Sequence, residues 1–259
     1  METKVLIEKL IEDMKGYFKN NGLPAKVVVG ISGGKDSSVV AALAAKAFGP
    51  ENVIGVEMPN GTQADIADSD KIIEFLGIQK RVANIGAMYD ALCEICPDTL
   101  TVYAAKTNSP ARLRMTTLYN IAAIEKAVVL NTCNLSEDVL GYSTLFGDSA
   151  GSYAPISKLT VTEVRAIGDT LGLPYELVHK APSDGMCGST DEDNLSKQLD
   201  IPEFTYERLD KMIRDEGDKG NFTEEQRERI FAMYNRMKFK LDICNLPCYW
   251  PDLKNIFFD

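Results

Sequence analysis

A short glycine- and serine-rich loop constrains the fold of this chain more than any other part of its sequence. The segment Gly30-Ile31-Ser32-Gly33-Gly34-Lys35-Asp36-Ser37-Ser38 follows the valines at 27–29 and precedes a helix-forming run at 39–48. A strand, a glycine-rich turn and a helix in this order can hold phosphate, because the turn exposes backbone N–H groups and the helix presents its positive end. The sequence therefore predicts a nucleotide-phosphate site here.

The loop differs from a Walker A loop in two places. Val29 stands where that motif needs its first glycine, and Asp36 follows Lys35 where a serine or threonine belongs. An acidic residue among phosphate-binding groups favours a bridging Mg²⁺. An ordinary Gly/Ser turn, with a solvated Lys35, is the alternative that the loop alone leaves open.

Apolar segments alternate with helical patterns along the first half of the chain. Leu6, Leu10, Met14 and Phe18 recur at helical spacing and predict an N-terminal helix over 2–21. Strands are predicted at 26–31, 52–57, 80–84 and 127–131, with helices near 36–48, 63–76, 86–95 and 108–126. Nearly all-apolar strands alternating with helices are typical of an α/β fold, a doubly wound parallel sheet with helices on both faces. Ligands bind such sheets beyond the carboxyl ends of the strands, where the loop falls.

The second half of the chain mixes loops with helices. The pattern predicts loops at 141–158 and 181–196, a helix near 160–172, charged helices within 203–240 and an irregular tail at 244–259. We expect a single domain, with a nucleotide-binding core over about 22–180 and a C-terminal helical part over about 197–259.

Charge and composition narrow the function classes. With 259 residues, 45% hydrophobic content and a net charge of −10, the chain can bury a core but lacks the basic surface that nucleic-acid binding needs. We see no export signal and no apolar run long enough to cross a membrane, so we expect a cytoplasmic protein with free thiols. A zinc site from Cys93, Cys96, Cys244 and Cys248 is a weaker alternative. The only histidine, His179, is expected to be structural or on the surface.

Five further segments narrow the substrate. They are 108–115 (Asn-Ser-Pro-Ala-Arg-Leu-Arg-Met), 131–137 (Asn-Thr-Cys-Asn-Leu-Ser-Glu), 141–148 (Gly-Tyr-Ser-Thr-Leu-Phe-Gly-Asp), Pro155-Ile156, and 182–185 with 190–192. Together with the loop, they occur in the order and roughly the spacing of the ammonia-dependent NAD synthetases, members of the ATP pyrophosphatase superfamily. The chain resembles that family over nearly its whole length.

The resemblance implies that deamido-NAD, ATP and ammonia give NAD, AMP and pyrophosphate through an adenylated nicotinate. It also implies a homodimer, with the helices at 2–21 and 108–126 as expected interface elements, and Mg²⁺ held by Asp36 and Glu137. ATP would contact Gly30, Ile31, Ser32, Gly33, Gly34, Lys35, Asp36, Ser37, Met58, Thr132 and Ser183. Deamido-NAD would contact Asn108, Arg112, Asp148, Phe239 and Lys240, with Asp148 and Asp36 as catalytic residues.

Simpler roles stay open for several of these residues. Glu137 fits a helix N-terminus, Arg112 a helix surface, Asp148 a turn, and Thr132 and Ser183 cap or turn hydroxyls. The whole chain could instead be another ATP pyrophosphatase that adenylates and thiolates tRNA, or a nucleotide-binding regulator without turnover. Glutamine-using members of the family carry an additional amidase domain that this sequence lacks, so free ammonia is the expected donor.

Three positions depart from the family pattern. Leu145 and Val161 stand where many members have lysines that bind substrate and ATP, and Ser152 stands where they have an aspartate. Lys158 precedes Val161 by one helical turn, so we consider whether its ammonium replaces the missing ATP contact.

Overall fold

The described part of the chain contains four strands and twelve α-helices, which we number in chain order. A computed structural model describes residues 2–62, 66–180, 190–217, 219–243 and 245–257. The strands are β1 (Val27–Gly30), β2 (Val53–Glu57), β3 (Gln79–Val82) and β4 (Val128–Val129). The helices are α1 (Thr3–Asn20), α2 (Lys35–Phe48), α3 (Ile66–Leu76), α4 (Gly86–Ile95), α5 (Tyr103–Glu125), α6 (Leu135–Leu140), α7 (Val161–Leu171), α8 (Tyr175–Val178), α9 (Asp191–Leu199), α10 (Tyr206–Ile213), α11 (Glu224–Met237) and α12 (Phe239–Ile243).

The strands form one parallel sheet in the order β3-β2-β1-β4. Val28 pairs with Ile54 of β2 on one side and with Val129 of β4 on the other. The chain runs outward from β1 to β3 and returns to the opposite side of β1, so the topological switch point lies between β1 and β4. The α/β class and the parallel sheet predicted from the sequence are confirmed.

Alternating residues of the strands face two different apolar layers. Val27, Val29 and Val53 pack among α1, α2 and α7, whereas Val28 and Ile54 pack beneath α5. This alternation follows from the two-residue period of a strand, which makes both faces of β1 apolar. The centre of the sheet is therefore covered on both sides, and the carboxyl end of β1 is left open for a ligand.

A third apolar cluster joins the C-terminal helices to α6. It contains Leu135 and Val139 of α6 together with residues of α9, α10 and α11. Asp210 of α10 accepts hydrogen bonds from the Ser136 hydroxyl at 2.5 Å and the Thr162 N–H at 2.8 Å. The C-terminal helices thus fix the start of α6 and of α7.

Two predicted boundaries are wrong. The loop predicted at 181–196 ends by Thr190, which caps α9 through a reciprocal capping box with Asp193. The helix predicted at 108–126 begins at Tyr103 and continues through Pro110. Proline is a common helix start but is tolerated in an interior that is held by packing, and Pro110 is buried.

Several classes of feature are missing from the described part of the chain. None of its helices is long and apolar enough to cross a bilayer. No group of three or more His, Cys, Asp or Glu side chains there could hold a metal ion, and Cys244 of the alternative zinc set lies outside the described residues. Cys93, Cys96, Cys133 and Cys248 are free thiols. His179 stacks on Tyr175 and pairs with Asp169.

Candidate active site

The loop between β1 and α2 is shaped for an anion. Gly33 has φ +76°, and a Cβ at this position would lie 2.5 Å from Cβ of Asp68 on α3. Only glycine fits both the left-handed conformation and this close approach. Gly34 caps α2 without a side-chain acceptor, so the N–H groups of the first turn point towards a ligand rather than towards a cap.

Hydrogen bonds and an ion pair within the loop hold its side chains in place. Ser38 Oγ donates to the Gly34 carbonyl at 2.7 Å, and Oγ of Ser32 lies 3.1 Å from Oγ of Ser37. Lys35 Nζ lies 2.7 Å from Asp36 Oδ2 and is buried. Burial opposes the charged form of Lys35, but the carboxylates of Asp36 and Glu137 outweigh it and raise the pKa of Lys35. The loop therefore contains a neutralised Lys–Asp pair.

Asn134 links the Asp36 carboxylate to the start of the helix that carries Glu137, the second residue that the sequence proposes as a metal ligand. Its Nδ2 donates to Asp36 Oδ1 at 3.0 Å, and its Oδ1 caps α6 by accepting from the Glu137 N–H at 3.1 Å. Glu137 lies in the first turn of α6 and also lines the cavity beside Asp36. Glu137 is therefore a helix-terminus residue that also lines the cavity, and its role as a metal ligand stays a prediction. Sequence reasoning missed Asn134, although an asparagine three residues before an acid is a capping signal.

The surroundings of this pair fit a divalent cation. Burial and the Asp36 carboxylate raise the pKa of Glu137 well above its usual range. The Tyr206 hydroxyl, fully buried near Glu137, has no hydrogen-bond partner among the described residues. Two carboxylates that interact with each other and line one cavity suit Mg²⁺, which takes one or two carboxylates and completes its shell with water and phosphate oxygens.

Asp148 lines the same cavity. Its Oδ1 accepts from the Thr144 N–H at 2.8 Å, and its backbone carbonyl accepts from Asn131 Nδ2 at 2.9 Å. The Asp148 side chain is exposed within the cavity, yet the surrounding protein desolvates its carboxyl and raises its pKa. The turn geometry and the cavity position therefore coexist. Asp148 is placed to accept a proton or to orient a nucleophile.

The residues predicted to contact the second substrate are divided between the cavity and its rim. Asn108 lines the cavity and accepts from Thr144 Oγ1 at 3.0 Å. Lys240 Nζ donates to the carbonyls of Gly141 and Ser143 at 2.7 Å each, behind the cavity wall. Burial lowers the pKa of Lys240. Phe239 is exposed and is absent from the wall.

The two arginines of α5 take different positions. Arg112 does not line the cavity; its Nε donates to the Leu145 carbonyl at 3.2 Å on the surface. Arg114 does line it, and its Nε donates to the Met58 carbonyl at 3.0 Å. Residues two apart on a helix lie on different faces. Once the buried face of α5 is known, the helical period therefore distinguishes Arg114, which lines the cavity, from Arg112, which does not.

One cavity of about 660 Å³ connects these groups, a size typical of ligand sites. Its wall includes the predicted residues Gly30, Ile31, Ser32, Gly34, Lys35, Asp36, Ser37, Met58, Asn108, Thr132, Glu137 and Asp148. It also includes Arg114, Lys180 and Asp191, for which the sequence analysis proposes no role. Gly33 lies in the same loop, and Ser183 lies outside the described residues.

The positions that depart from the family pattern are occupied in other ways. Val161 is fully buried in the C-terminal apolar cluster, and Ser152 Oγ lies 3.3 Å from the Tyr119 hydroxyl. The Lys158 ammonium lies over the ring of Trp250, 4.4 Å from its centroid, and does not line the cavity. The hypothesis that Lys158 replaces the missing ATP contact therefore finds no support in the structure.

Comparisons with known proteins agree with this geometry. The family model described as NAD synthase matches residues 6–244. An NH(3)-dependent NAD(+) synthetase of Methanococcoides burtonii is 41% identical over 191 residues, covering 72% of this chain and 70% of that protein. An NMN synthetase structure from Francisella tularensis superposes with TM-score 0.81 at 30% identity, covering 97% of this chain and 99% of that one. An NH3-dependent NAD synthetase structure from Campylobacter jejuni gives 0.71 at 26% identity, covering 97% and 98%.

Proposed function

Because this chain belongs to the NAD synthase family, we propose that it uses ATP to activate the nicotinate carboxylate of deamido-NAD and ammonia to convert it to the amide of NAD. It is a C–N bond-forming ligase. The observation that carries the proposal is the shared cavity, whose wall includes the anion-binding loop, the Asp36–Glu137 pair and Asp148. We propose that this cavity holds a triphosphate beside an acyl group. We propose that the chain forms one NAD synthase domain.

The proposed chemistry has two balanced steps. A carboxylate oxygen of the substrate attacks the α-phosphorus of ATP, the bond to the bridging oxygen breaks, and pyrophosphate leaves. Ammonia then attacks the carbonyl carbon of the adenylate, AMP leaves, and the nitrogen loses a proton. Neither step needs a nucleophile from the protein, so the residues act by binding, orientation and proton transfer.

The loop is proposed to bind the departing pyrophosphate. Backbone N–H groups at the start of α2, with the hydroxyls of Ser32 and Ser37, donate to its oxygens. Asp36 and Glu137 would hold Mg²⁺, which when bound neutralises charge on the phosphates. Asn134 keeps both carboxylates in place, because it contacts Asp36 with its amide and caps the helix that carries Glu137.

Asp148 is proposed to accept the proton that the attacking nitrogen loses. Its raised pKa suits a group that accepts the proton released when the amide forms. Thr144 and Asn131 hold its carboxylate and its backbone, so its position does not depend on the substrate. The contacts proposed for Arg112, Phe239, Lys240, Thr132 and Ser183 stay predictions.

A second substrate has specific support. The NMN synthetase of Francisella tularensis superposes better than the Campylobacter jejuni NAD synthetase, with TM-scores of 0.81 and 0.71. Leu145 also stands where many family members are expected to have a substrate-binding lysine, and Ser152 where they are expected to have an aspartate. The alternative is therefore amidation of the mononucleotide of nicotinate to give NMN, with the same activation chemistry.

A homodimer is proposed through the α5 side of the molecule. Tyr103, Tyr119 and Ile124 of α5 are large and exposed, and Ile95 at the end of α4 is 78% exposed. The apolar side chains of α1 instead pack in the chain's own core, which removes the reason for expecting α1 at the interface. A cytoplasmic location stays a prediction.

One assay separates these functions. The purified protein is supplied with ATP, Mg²⁺ and either deamido-NAD or nicotinate mononucleotide, and with either ammonium or glutamine as the nitrogen source. Amide product and AMP are quantified by mass spectrometry. We expect NAD and AMP in equal amounts with ammonium, and a higher kcat/KM for the dinucleotide. A higher kcat/KM for the mononucleotide selects the second substrate, and no amide from either contradicts the proposal.

A further inference from the structure

No sequence motif predicts a role for Lys180, yet its side chain lines the cavity. It lies just after α8, and its Nζ lies 2.7 Å from Asp68 Oδ2 of α3, across 112 residues of sequence. The ammonium is partly open to solvent and lines the same cavity as the loop. This side chain therefore reaches across the mouth of the phosphate site.

Two contacts place the Asp68–Lys180 pair against the loop itself. Ser69 Oγ donates to the Ile31 carbonyl at 3.1 Å, which ties the start of α3 to the loop. Asp68 also packs on Gly33, because a Cβ added to Gly33 would lie only 2.5 Å from the Cβ of Asp68. Through Asp68, Lys180 is thus held close to Gly33 of the anion-binding loop.

The described wall of the cavity carries more carboxylates than cationic side chains. Among the described residues of its wall, five carboxylates (Asp36, Glu57, Glu137, Asp148 and Asp191) face three cationic side chains (Lys35, Arg114 and Lys180). Lys35 is already neutralised by Asp36, and Arg114 is engaged with the Met58 carbonyl. A triphosphate brings several more negative charges next to this wall. An ammonium that can leave its carboxylate partner and pair with the phosphates would offset part of that charge.

We propose that Lys180 is a phosphate-binding residue of this site, and that its ammonium moves from Asp68 to the terminal phosphates of ATP when the nucleotide binds. The flexible four-carbon stem of lysine allows such a swing without backbone motion. Asp68 holds the ammonium in place before binding and competes with the phosphates for it. Lys180 then supplies the cation that Lys158, stacked on Trp250, does not supply. This inference rests on the proposed function, since it takes ATP as the ligand.

The test compares nucleotides that differ only in their phosphates. Dissociation constants of ATP and AMP, with Mg²⁺ and without the second substrate, are measured by calorimetry for the wild type and Lys180→Met. We expect the dissociation constant of ATP to rise at least tenfold while that of AMP changes less than twofold. Lys180→Arg should restore part of the ATP affinity. Asp68→Asn should tighten ATP binding, because the competing carboxylate is removed.

Lys71→Met is the matched control. Lys71 lies on α3 three residues after Asp68, but it pairs with Glu176 on the surface and does not line the cavity. Its ATP affinity should equal that of the wild type. Unchanged ATP affinity in Lys180→Met, or an equal loss of ATP and AMP affinity, overturns the inference while leaving the proposed function intact. A wild type that fails to bind ATP contradicts the proposed function instead.

Discussion

Replacing Asp210 by asparagine gives the most quantitative test of how the C-terminal helices support the site. Asp210 is 3% exposed and accepts hydrogen bonds from two neutral donors, the Ser136 hydroxyl and the Thr162 N–H. Burial raises the pKa of its carboxyl from 3.8 to about 6, although the two hydrogen bonds oppose that rise. The folded protein therefore binds this proton more tightly than the unfolded chain does.

The sign and size of the effect follow from linkage. A carboxyl group whose pKa is raised on folding contributes stability below its unfolded pKa and loses that contribution as the pH rises through its folded pKa. A shift of about two pKa units corresponds to about 3 kcal/mol, at roughly 1.4 kcal/mol per unit. The wild type should therefore lose about 3 kcal/mol relative to Asp210→Asn between pH 4 and pH 7.

Urea unfolding at several pH values measures this difference. The free energy of unfolding of each protein is obtained from circular dichroism at pH 4, 5, 6 and 7, and the two values are subtracted at each pH. Asp215→Asn is a control of opposite sign, because hydrogen bonds from Lys254 and Lys219 lower the pKa of Asp215. Its contribution is present above about pH 4 and is lost at lower pH. A difference between wild type and Asp210→Asn that stays constant from pH 4 to pH 7, or rises with pH, refutes the reasoning.

Three further substitutions test the loop, the metal pair and a helix cap. Gly33→Ala should weaken ATP binding at least tenfold by calorimetry, whereas Gly34→Ala should do so far less, because a Cβ at Gly34 meets only Ser32 Oγ at 3.4 Å. Glu137→Gln should weaken Mn²⁺ binding, followed by electron paramagnetic resonance, yet stabilise the metal-free protein by relieving repulsion from Asp36; equal Mn²⁺ affinity would argue against the site. Thr160→Ala removes the capping box of α7 and should cost about 1 kcal/mol of unfolding free energy in urea, and no loss would contradict that role.

Much of the fold is readable from local sequence. The residues of β1 and β2 are apolar on both faces of the sheet, which is the pattern of central parallel strands, and each of the four observed strands starts within one residue of its predicted start. β3 occupies the predicted strand position, but all four of its residues are exposed, so the apolar pattern expected of the strands does not extend to this edge of the sheet. The start of α5 could not be read, because Pro110 is a strong local signal for a helix start and only tertiary packing overrides it.

The residues of the site likewise fall into those that a local motif predicts and those that only the tertiary fold brings together. Gly33, Lys35 and Asp36 belong to one contiguous segment whose chemistry is local, so the sequence alone indicates a phosphate site. Lys180 and Arg114 reach the cavity only because α3, α5 and the end of α8 meet at one edge of the sheet. Such contacts join residues far apart in the chain, and no single segment encodes them.

The central claim is that ATP activates the substrate carboxylate by transferring its adenylyl group to it. The direct measurement uses deamido-NAD labelled with ¹⁸O in the nicotinate carboxylate, with unlabelled ATP and ammonium, and mass analysis of the released AMP. Attack of the carboxylate on the α-phosphorus followed by displacement leaves one labelled oxygen on AMP for each amide formed. We predict one ¹⁸O per AMP; unlabelled AMP, or ADP in place of AMP, would contradict the account.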